Sequence, residues 1–214
     1  MGEALWLSVK VSLVSLPAVF LVGLALGFLL SRGPRFLAVP ISYALQLAMI
    51  LPPSVLGLYL LTALGSAPWG IGRKLLFSYH ACVLAAFVSA LPIMVQFSRA
   101  AFMGIPASLE EAAMVLGRQR WEVFFKVLLP IARPKLILGI AMAGVRAMGD
   151  FGLTLTIAGN IPGRTQTLPL YVFSRAEVLD MRGAHLASLV LLLLGLASVL
   201  MLSRLEGEKR ELHP

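Results

Sequence analysis

Charged residues are scarce in this chain of 214 residues. Asp, Glu, Lys and Arg make up 13% of the sequence, against about 25% in a typical soluble domain, and 59% of the residues are hydrophobic. The apolar residues fall into long blocks that short polar stretches separate. This distribution excludes an ordinary soluble domain and indicates that lipid solvates much of the surface.

Cysteine is almost absent, since Cys82 is the single one. One cysteine excludes an internal disulfide, and its position in an apolar run indicates a small packing residue. The three His residues lack the spacing of metal ligands, and no Ser/His/Asp or Cys/His set has the motif context of nucleophilic catalysis. We therefore expect no catalytic residue, no metal site and no cofactor.

The chain also lacks the G-x-x-x-x-G-K-[ST] pattern, the glycine-rich loop with which P-loop ATPases bind phosphate. The run Gly149-Asp150-Phe151-Gly152 contains the Asp-Phe-Gly triplet of protein kinases. No glycine-rich loop or His-Arg-Asp accompanies it, so we interpret it as coincidence. We therefore expect that the chain is not an enzyme and that any ATP hydrolysis resides on a partner chain.

Acidic residues are fewer than basic ones, 10 against 18, and the formal net charge is +8. No basic stripe with interleaved aromatics is present, so we do not expect a nucleic-acid partner. Loops beside membrane spans collect Lys and Arg on the cytoplasmic side, which explains the basic excess more simply.

Five apolar blocks are each near the roughly 20 residues that a helix needs to cross a bilayer. Backbone amides in lipid need partners within their own segment, so we expect the blocks to be helices. The sequence thus predicts an all-α, polytopic protein in a single transmembrane domain, residues 1–214, embedded in the lipid bilayer of the inner (plasma) membrane. The predicted spans are residues 5–30, 41–64, 75–97, 136–157 and 186–202, with a cytoplasmic segment at 98–130 between the third and the fourth.

The distribution of Lys and Arg predicts the orientation of these spans. An odd number of spans places the two termini on opposite sides, and the side richer in Lys and Arg is cytoplasmic. We therefore expect the N-terminus outside and the C-terminus in the cytoplasm. The richer side holds Arg32, Arg35, Arg99, Arg118, Arg120, Lys126, Arg133, Lys135, Arg204, Lys209 and Arg210, and the other side holds Lys10, Arg73, Lys74, Arg164, Arg175 and Arg182.

Two features of the apolar blocks concern helix geometry. Pro52 and Pro53 should break or kink the second span, as a hinge or as a packed irregularity. Gly23 and Gly27 have the G-x-x-x-G spacing that lets helices pack closely, although this spacing also arises by chance in an apolar run.

The cytoplasmic segment contains the pattern of a short helix. Ser108 and Glu111 have the S-x-x-E spacing of a capping box, and Gly117 can adopt the left-handed conformation that ends a helix. A second amphipathic stretch follows at 119–129, and we expect Leu129-Pro130 to end it before the fourth span. This two-helix hook either presents a small alanine face to another protein or lies on the lipid headgroups as a connector.

The spacing of these residues resembles the EAA signature of ABC importer permeases. Glu111-Ala112-Ala113 precedes Gly117, and Val127, Leu128 and Leu129-Pro130 follow after nine further residues, with Val where Ile is typical. The resemblance implies that the loop docks as a coupling helix on an ATP-binding cassette ATPase subunit. The motif residues it assigns to coupling are Glu111, Ala112, Ala113, Gly117, Leu129 and Pro130.

Arg146 and Asp150 are ionisable residues within the fourth predicted span, where charges are costly and often functional. Their spacing of four places them on one helix face, and Thr154 continues that face. The three residues either line the translocation pathway near its outer end or form a structural ion pair that anchors the span.

The runs from Arg146 to Gly152 and from Gly159 to Pro169 resemble the molybdate and tungstate branch of these permeases, and the sulfate branch is similar. Asp150 stands where family members commonly have Glu. The resemblance implies an oxyanion cargo, which suits the several N–H donors of Arg146 and of Arg164, unless Arg164 is simply solvated. It also implies a separate oxyanion-binding protein that carries most of the selectivity and docks on the outer segment 158–185.

Three hypotheses for the function differ in what they demand of the sequence. A permease subunit with five spans needs a second copy to enclose a pathway, so it predicts a homodimer with two ATPase subunits. A self-sufficient channel or secondary transporter predicts charges in several spans and internal repeats, whereas the sequence has one clear intramembrane pair and no repeat. A membrane anchor leaves the hook and the charged pair unexplained. The sequence therefore favours the permease.

Overall fold

The computed structural model describes residues 1–66 and 70–210, and for residues 71, 198, 199 and 201–210 it describes the backbone alone. None of these residues forms a strand, and most are helical, so the all-α prediction is confirmed. The α-helices are α1 (Gly2–Arg32), α2 (Arg35–Ile50), α3 (Pro53–Gly65), α4 (Ile71–Leu75), α5 (Tyr79–Met103), α6 (Ala107–Val115), α7 (Arg120–Val123), α8 (Leu129–Met148), α9 (Gly152–Ala158), α10 (Leu168–Glu177) and α11 (Met181–Arg210).

Helices α1 and α5 lie side by side and run in the same direction. Near their starts, Tyr79 Oη donates a hydrogen bond of 3.2 Å to the Lys10 carbonyl. Beyond their ends, Arg32 Nη2 donates a hydrogen bond of 2.7 Å to the Ile105 carbonyl. We call these two ends of the bundle the Lys10 end and the Arg32 end.

Helix α8 packs against α5 in the opposite direction. Lys135 Nζ lies 3.4 Å from the Ala100 carbonyl, and further along α8 the backbone of Gly139 faces Phe97. The chain therefore descends through α5 to the Arg32 end and returns through α8, which is the relative polarity that the predicted order of spans requires.

Glycines at the α1–α5 contact explain its closeness. A Cβ added at Gly23 would lie 2.5 Å from Met94 Cγ, and one added at Gly27 would overlap the Ser98 side chain and lie 2.8 Å from the Arg99 nitrogen. No side chain fits at either position, so the G-x-x-x-G spacing marks a helix-packing contact here.

Two helices are each long and apolar enough to cross a membrane by themselves, among the described residues. They are α1 and α5, which contain most of the first and third predicted spans, and α5 extends six residues beyond Phe97. The fifth predicted span lies within α11, of which Met181–Ala197 is a shorter apolar helix. The five-span arrangement as a whole stays a prediction.

The second predicted span, 41–64, is not one straight helix. Helices α2 and α3 meet at 117° where the predicted proline break lies. Leu51 is extended because a residue before proline is forced out of the helical region, and Pro53 then occupies the first turn of α3, where its missing N–H costs nothing.

The fourth predicted span, 136–157, also differs from the structure at both ends. Leu129-Pro130 does not end the preceding helix, because a π-helical turn, Phe124–Leu128, joins α7 to α8 without interruption. Such a wider turn accommodates a proline that lacks its amide donor. At the other end, α8 stops at Met148 and α9 begins at Gly152.

The breaks in the two interrupted helices lie against each other. A Cβ added at Gly152 would lie 3.2 Å from both Pro53 Cβ and the Ser54 nitrogen. A little further along α9, Gly57 of α3 packs against the Thr156 side chain in the same way. Helix α9 is thereby held on α3, and the α8–α9 break is held beside the α2–α3 break.

Candidate coupling surface and translocation site

Helix α6 carries the Glu-Ala-Ala run and lies at the edge of the bundle, with Ala113 half-buried against the hydrophobic core. None of its residues is buried, and Glu111 and Ala112 are exposed. At its end, Val115 and Leu116 are 86% and 83% exposed. Two apolar side chains so fully in contact with solvent indicate a surface that another molecule covers.

The capping box expected at Ser108 and Glu111 does not form, so that prediction is wrong. Helix α6 starts two residues earlier than the motif requires, with Pro106 as its N-cap, and the cap has no side-chain hydrogen bond. Ser108 therefore lies inside the first turn and not at the N-cap, the position from which a side chain caps a helix. The reciprocal arrangement occurs instead at Gln119 and Glu122, at the start of α7.

Gly117 ends α6 as predicted, with φ of +80°. The Gly117 amide donates to the Met114 carbonyl at 3.0 Å, and the Arg118 amide donates to the Ala113 carbonyl at 3.2 Å. These two bonds define a Schellman motif, in which a left-handed residue satisfies the last carbonyls of a helix. The space beside Gly117 is open, since a Cβ added there would meet no atom within 4 Å.

A charged cluster organises the turn after Gly117. Glu122 accepts hydrogen bonds from Lys126 Nζ at 2.7 Å and from Arg118 Nη1 at 3.2 Å. The Lys126 hydrogen bond, followed by that of the Gln119 amide, lowers the pKa of Glu122 from its ordinary value. The carboxylate therefore stays ionised at neutral pH and holds the start of α7 together.

Arg32 connects α6 to the bundle, a role that sequence reasoning missed because it treated Arg32 only as a loop charge. Its guanidinium donates to the carbonyls of Phe102 and Ile105 at 3.4 and 2.7 Å. Its Nε lies 3.3 Å from Glu110 Oε2, as an ion pair rather than an aligned hydrogen bond. Only the proximity in space of the end of α1 and the start of α6 shows this contact.

The other two motif residues lie at the start of α8 rather than on α6. Leu129 is half-buried and packs against the hydrophobic core, while Pro130 is exposed. Since α7, the π-helical turn and α8 form one continuous helix, Leu129 and Pro130 lie on the element that leads from the hook into the bundle.

The structure brings Arg146, Asp150 and Thr154 together, but not along one helix as predicted. Asp150 lies in the α8–α9 break, where its Oδ2 accepts hydrogen bonds from the Thr154 amide at 2.9 Å and from Thr154 Oγ1 at 2.7 Å. The carboxylate thus replaces a missing backbone acceptor at the start of α9. Arg146 Nη1 lies 3.6 Å from the other oxygen, Oδ1.

Arg146 also lines a small cavity at the α2–α3 break. The cavity has a volume of about 110 Å³, and its walls include Pro53, Ser89 of α5 and Leu153 of α9. The Arg146 side chain is 35% exposed, whereas that of Asp150 is 1% exposed. The arginine is therefore the more accessible member of the pair.

Segment 158–185, which we predict to face outward, lies at the Lys10 end and is anchored by a buried hydrogen bond to α1. Ser8 Oγ of α1 accepts a hydrogen bond of 2.8 Å from the Leu168 amide. Arg164 lies in an exposed turn away from these anchors. Sequence reasoning missed a polar cluster in which Asn160 and Gln166 are hydrogen-bonded to each other at 2.9 Å and both donate to Ser174 Oγ.

Comparison with known families decides the class of protein. Residues 20–209 match the family of binding-protein-dependent transport system inner membrane components. The chain belongs to this family. As a family member it is a transport component of the inner membrane rather than an enzyme, and the predicted resemblance to importer permeases is confirmed.

Individual family members are similar over most of the chain. The molybdenum transport system permease protein ModB of Escherichia coli K12 is 37% identical over 180 residues, which are 80% of this chain and 78% of ModB. A probable sulfate transport system permease protein, cysT of Chlorokybus atmophyticus, is 33% identical over 162 residues, 73% of this chain and 57% of cysT.

A solved structure shows the same fold. A chain of the MetNI methionine ABC transporter, in an inward-facing conformation, superposes with a TM-score of 0.73, covering 96% of this chain and 95% of that one. The two sequences are 19% identical, so the likeness concerns the fold. The fold is therefore that of an ABC transporter permease.

Proposed function

We propose that this permease imports molybdate or tungstate, driven by ATP hydrolysis on separate ATPase subunits. The observation that carries the cargo is the similarity to the E. coli molybdenum permease, 37% over 80% of the chain. A sulfate importer is the second candidate, since the cysT relative is 33% identical over 73% of the chain.

Helix α6 and Gly117 form the contact with the ATPase in this proposal. Glu111 and Ala112 are exposed, Ala113 is half-buried against the hydrophobic core, and the exposed Val115 and Leu116 supply the apolar area that a partner would bury. Leu129 and Pro130 act differently, as part of the continuous helix that passes movement of the hook into α8.

Arg146, Asp150 and Thr154 form part of the translocation pathway. A guanidinium offers several N–H donors to a tetrahedral oxyanion. Arg146 is accessible from the cavity at the α2–α3 break, and Asp150 holds it from the buried side. Asp150 partly neutralises the charge of Arg146, which suits transport. An arginine without an acidic partner would bind a dianion too tightly to release it.

The assembly and orientation follow from the same scheme. The permease works as a homodimer with two ATPase subunits, because the bundle of one chain is too thin to enclose a pathway. The N-terminus and the outer segment 158–185 face the oxyanion-binding protein, while α6 and the C-terminus face the cytoplasm. The excess of Lys and Arg at the Arg32 end supports this orientation.

The experiment that tests the function is uptake into sealed vesicles that contain the permease with its ATPase subunits and binding protein. We expect ATP-dependent accumulation of labelled molybdate and tungstate, with sulfate transported poorly. Preference for sulfate would assign the chain to the second candidate. Uptake without nucleotide would contradict the importer and support a self-sufficient channel.

A further inference from the structure

A large groove lies at the Arg32 end, between α1, α6 and the α7–π-helical–α8 segment. Its volume is about 1010 Å³. Its lining includes Leu24 and Phe28 of α1, Met114 of α6, and Trp121 and Phe125 of the α7–π-helical–α8 segment. We call it the α1–α6 groove. We propose that it binds one anionic phospholipid of the cytoplasmic leaflet.

The groove has the length of one lipid leaflet. Along α1 it extends from Leu21 to Arg32, and eleven residues of helix rise about 16 Å. Half of the hydrocarbon core of a bilayer is about 15 Å thick. The apolar residues occupy the part of α1 inside the membrane span, and the charged residues lie at its end. An occupant therefore needs a long apolar portion and a polar head at the level of Arg32.

The charge at the mouth of the groove selects the sign of that head. Arg32, Arg120 and Glu110 all line it. Arg32 is paired with Glu110, whereas Arg120 makes no ion pair with any described side chain. The net charge of the three residues is positive, and a lipid phosphate is the anion that this depth in the membrane supplies. Trp121, 59% exposed, lies beside Arg120 as tryptophan does in interfacial belts.

The proposed ATPase contact leaves the groove free. Glu110 and Met114 are four residues apart on α6 and point into the groove, while Glu111 and Val115 lie on other faces of the helix. A lipid in the groove therefore packs behind the coupling helix without covering it. Its phosphate lies next to the Arg32–Glu110 pair that holds α6 to α1. The charge of the lipid would therefore affect the position of the coupling helix.

Trp121 provides the probe for this site. In a Trp6→Phe, Trp69→Phe variant it is the one remaining tryptophan, and bromine on a lipid chain in the groove quenches its fluorescence. The permease is placed in nanodiscs with increasing fractions of brominated phosphatidylglycerol or, separately, brominated phosphatidylcholine. Both leaflets contain the probe, so the result depends neither on the proposed orientation nor on the cargo.

We expect phosphatidylglycerol to quench at about fivefold lower mole fraction than phosphatidylcholine, the preference that one unpaired arginine gives near a membrane surface. Arg120→Gln should abolish the preference. Arg118→Gln should keep it, because Arg118 pairs with Glu122 and does not line the groove. An unchanged midpoint of thermal unfolding in detergent shows that each variant is folded.

Three outcomes would overturn the proposal. Equal quenching by the two lipids would show that the groove has no preference for an anionic head. Failure of both lipids to quench would show that a second copy of the chain covers Trp121. Loss of quenching on addition of the ATPase subunits would assign the groove to the motor rather than to a lipid.

Discussion

Asp150 is the residue on which the local structure of the proposed pathway depends. Its two carboxylate oxygens face different partners, Thr154 on one side and Arg146 on the other. The bonds to Thr154 stabilise the start of α9 whether or not the arginine is present. This separation allows the structural and transport roles of the Arg146–Asp150 pair to be tested independently.

Arg146→Gln should slow anion uptake about tenfold or more, since one charge-assisted interaction with the passing anion contributes about 1.5–3 kcal/mol. Assembly of the permease with its ATPase should be unchanged, because Asp150 keeps both bonds to Thr154. Initial rates of molybdate uptake and the yield of purified complex measure the two effects.

Arg133→Gln is the matched control, because Arg133 lies on the same helix but is exposed. It should leave uptake near the wild-type rate. A complex that fails to assemble with Arg146→Gln would instead identify the pair as a structural anchor.

At this scale the sequence predicts residue identity better than residue contact. The spacing of Arg146, Asp150 and Thr154 brought the correct three residues together, although through a helix break and not along a helix face. Ser108 was assigned as a helix cap, but α6 already begins at Ala107. The Arg32–Glu110 contact could not be predicted, since its partners lie 78 positions apart and no periodicity relates them.

Among the helices, the α1–α5 contact is highly sensitive to side-chain volume. Gly27 faces Ser98 and the Arg99 backbone with no room for a methyl group. Neither backbone can shift away without moving the Arg32 end, because Arg32 binds the carbonyls of Phe102 and Ile105 there. Helix α6 is thus held in place partly by the close packing of α1 against α5.

Gly27→Ala should destabilise the permease by about 1–3 kcal/mol, because the added methyl group overpacks the α1–α5 contact. Thermal unfolding of the purified protein in detergent measures the change as a lower midpoint.

Gly144→Ala provides the comparison within another bundle helix. The atom nearest to a Cβ at Gly144 is Leu16 Cδ1 at 3.5 Å, an ordinary contact. This substitution should be neutral or stabilise α8, since alanine favours a helix by about 0.5–1 kcal/mol over glycine. Equal shifts in both variants would contradict the packing explanation.

The helices themselves were predictable to different degrees. Hydropathy located α1 and α5, and Pro52-Pro53 located the α2–α3 break, because prolines leave a local signature. The break at Gly149–Phe151 has no comparable signature, since glycines are common in membrane helices. The continuity from α7 to α8 through Pro130 depends on a π-helical turn, which the sequence pattern does not indicate.

In the whole molecule, one continuous helical path joins the two proposed sites. From Arg120 to Met148 the chain stays helical through α7, the π-helical turn and α8, about 43 Å at the rise of an α-helix. Arg146 lies near one end of this path and the Gly117 turn immediately precedes the other. In the proposed function, movement of α7 by an ATPase would therefore reach Arg146 along a continuous helix.

In the proposed function, the Gly117 turn sets how α6 is presented to the ATPase. Gly117→Val should lower ATP-driven uptake about tenfold or more, because a β-branched residue at positive φ costs about 1–3 kcal/mol and disfavours the turn. Gly117→Asn should retain most of the uptake, since asparagine tolerates the left-handed conformation and the site has open space around it.

Uptake and ATP hydrolysis are measured together in vesicles. Hydrolysis that continues while uptake falls in the valine variant would show uncoupling, whereas normal uptake in that variant would contradict a role for this turn. Equal loss in both variants would show that the ATPase contact excludes any side chain at Gly117, so that the surface rather than the backbone conformation is what the motor recognises.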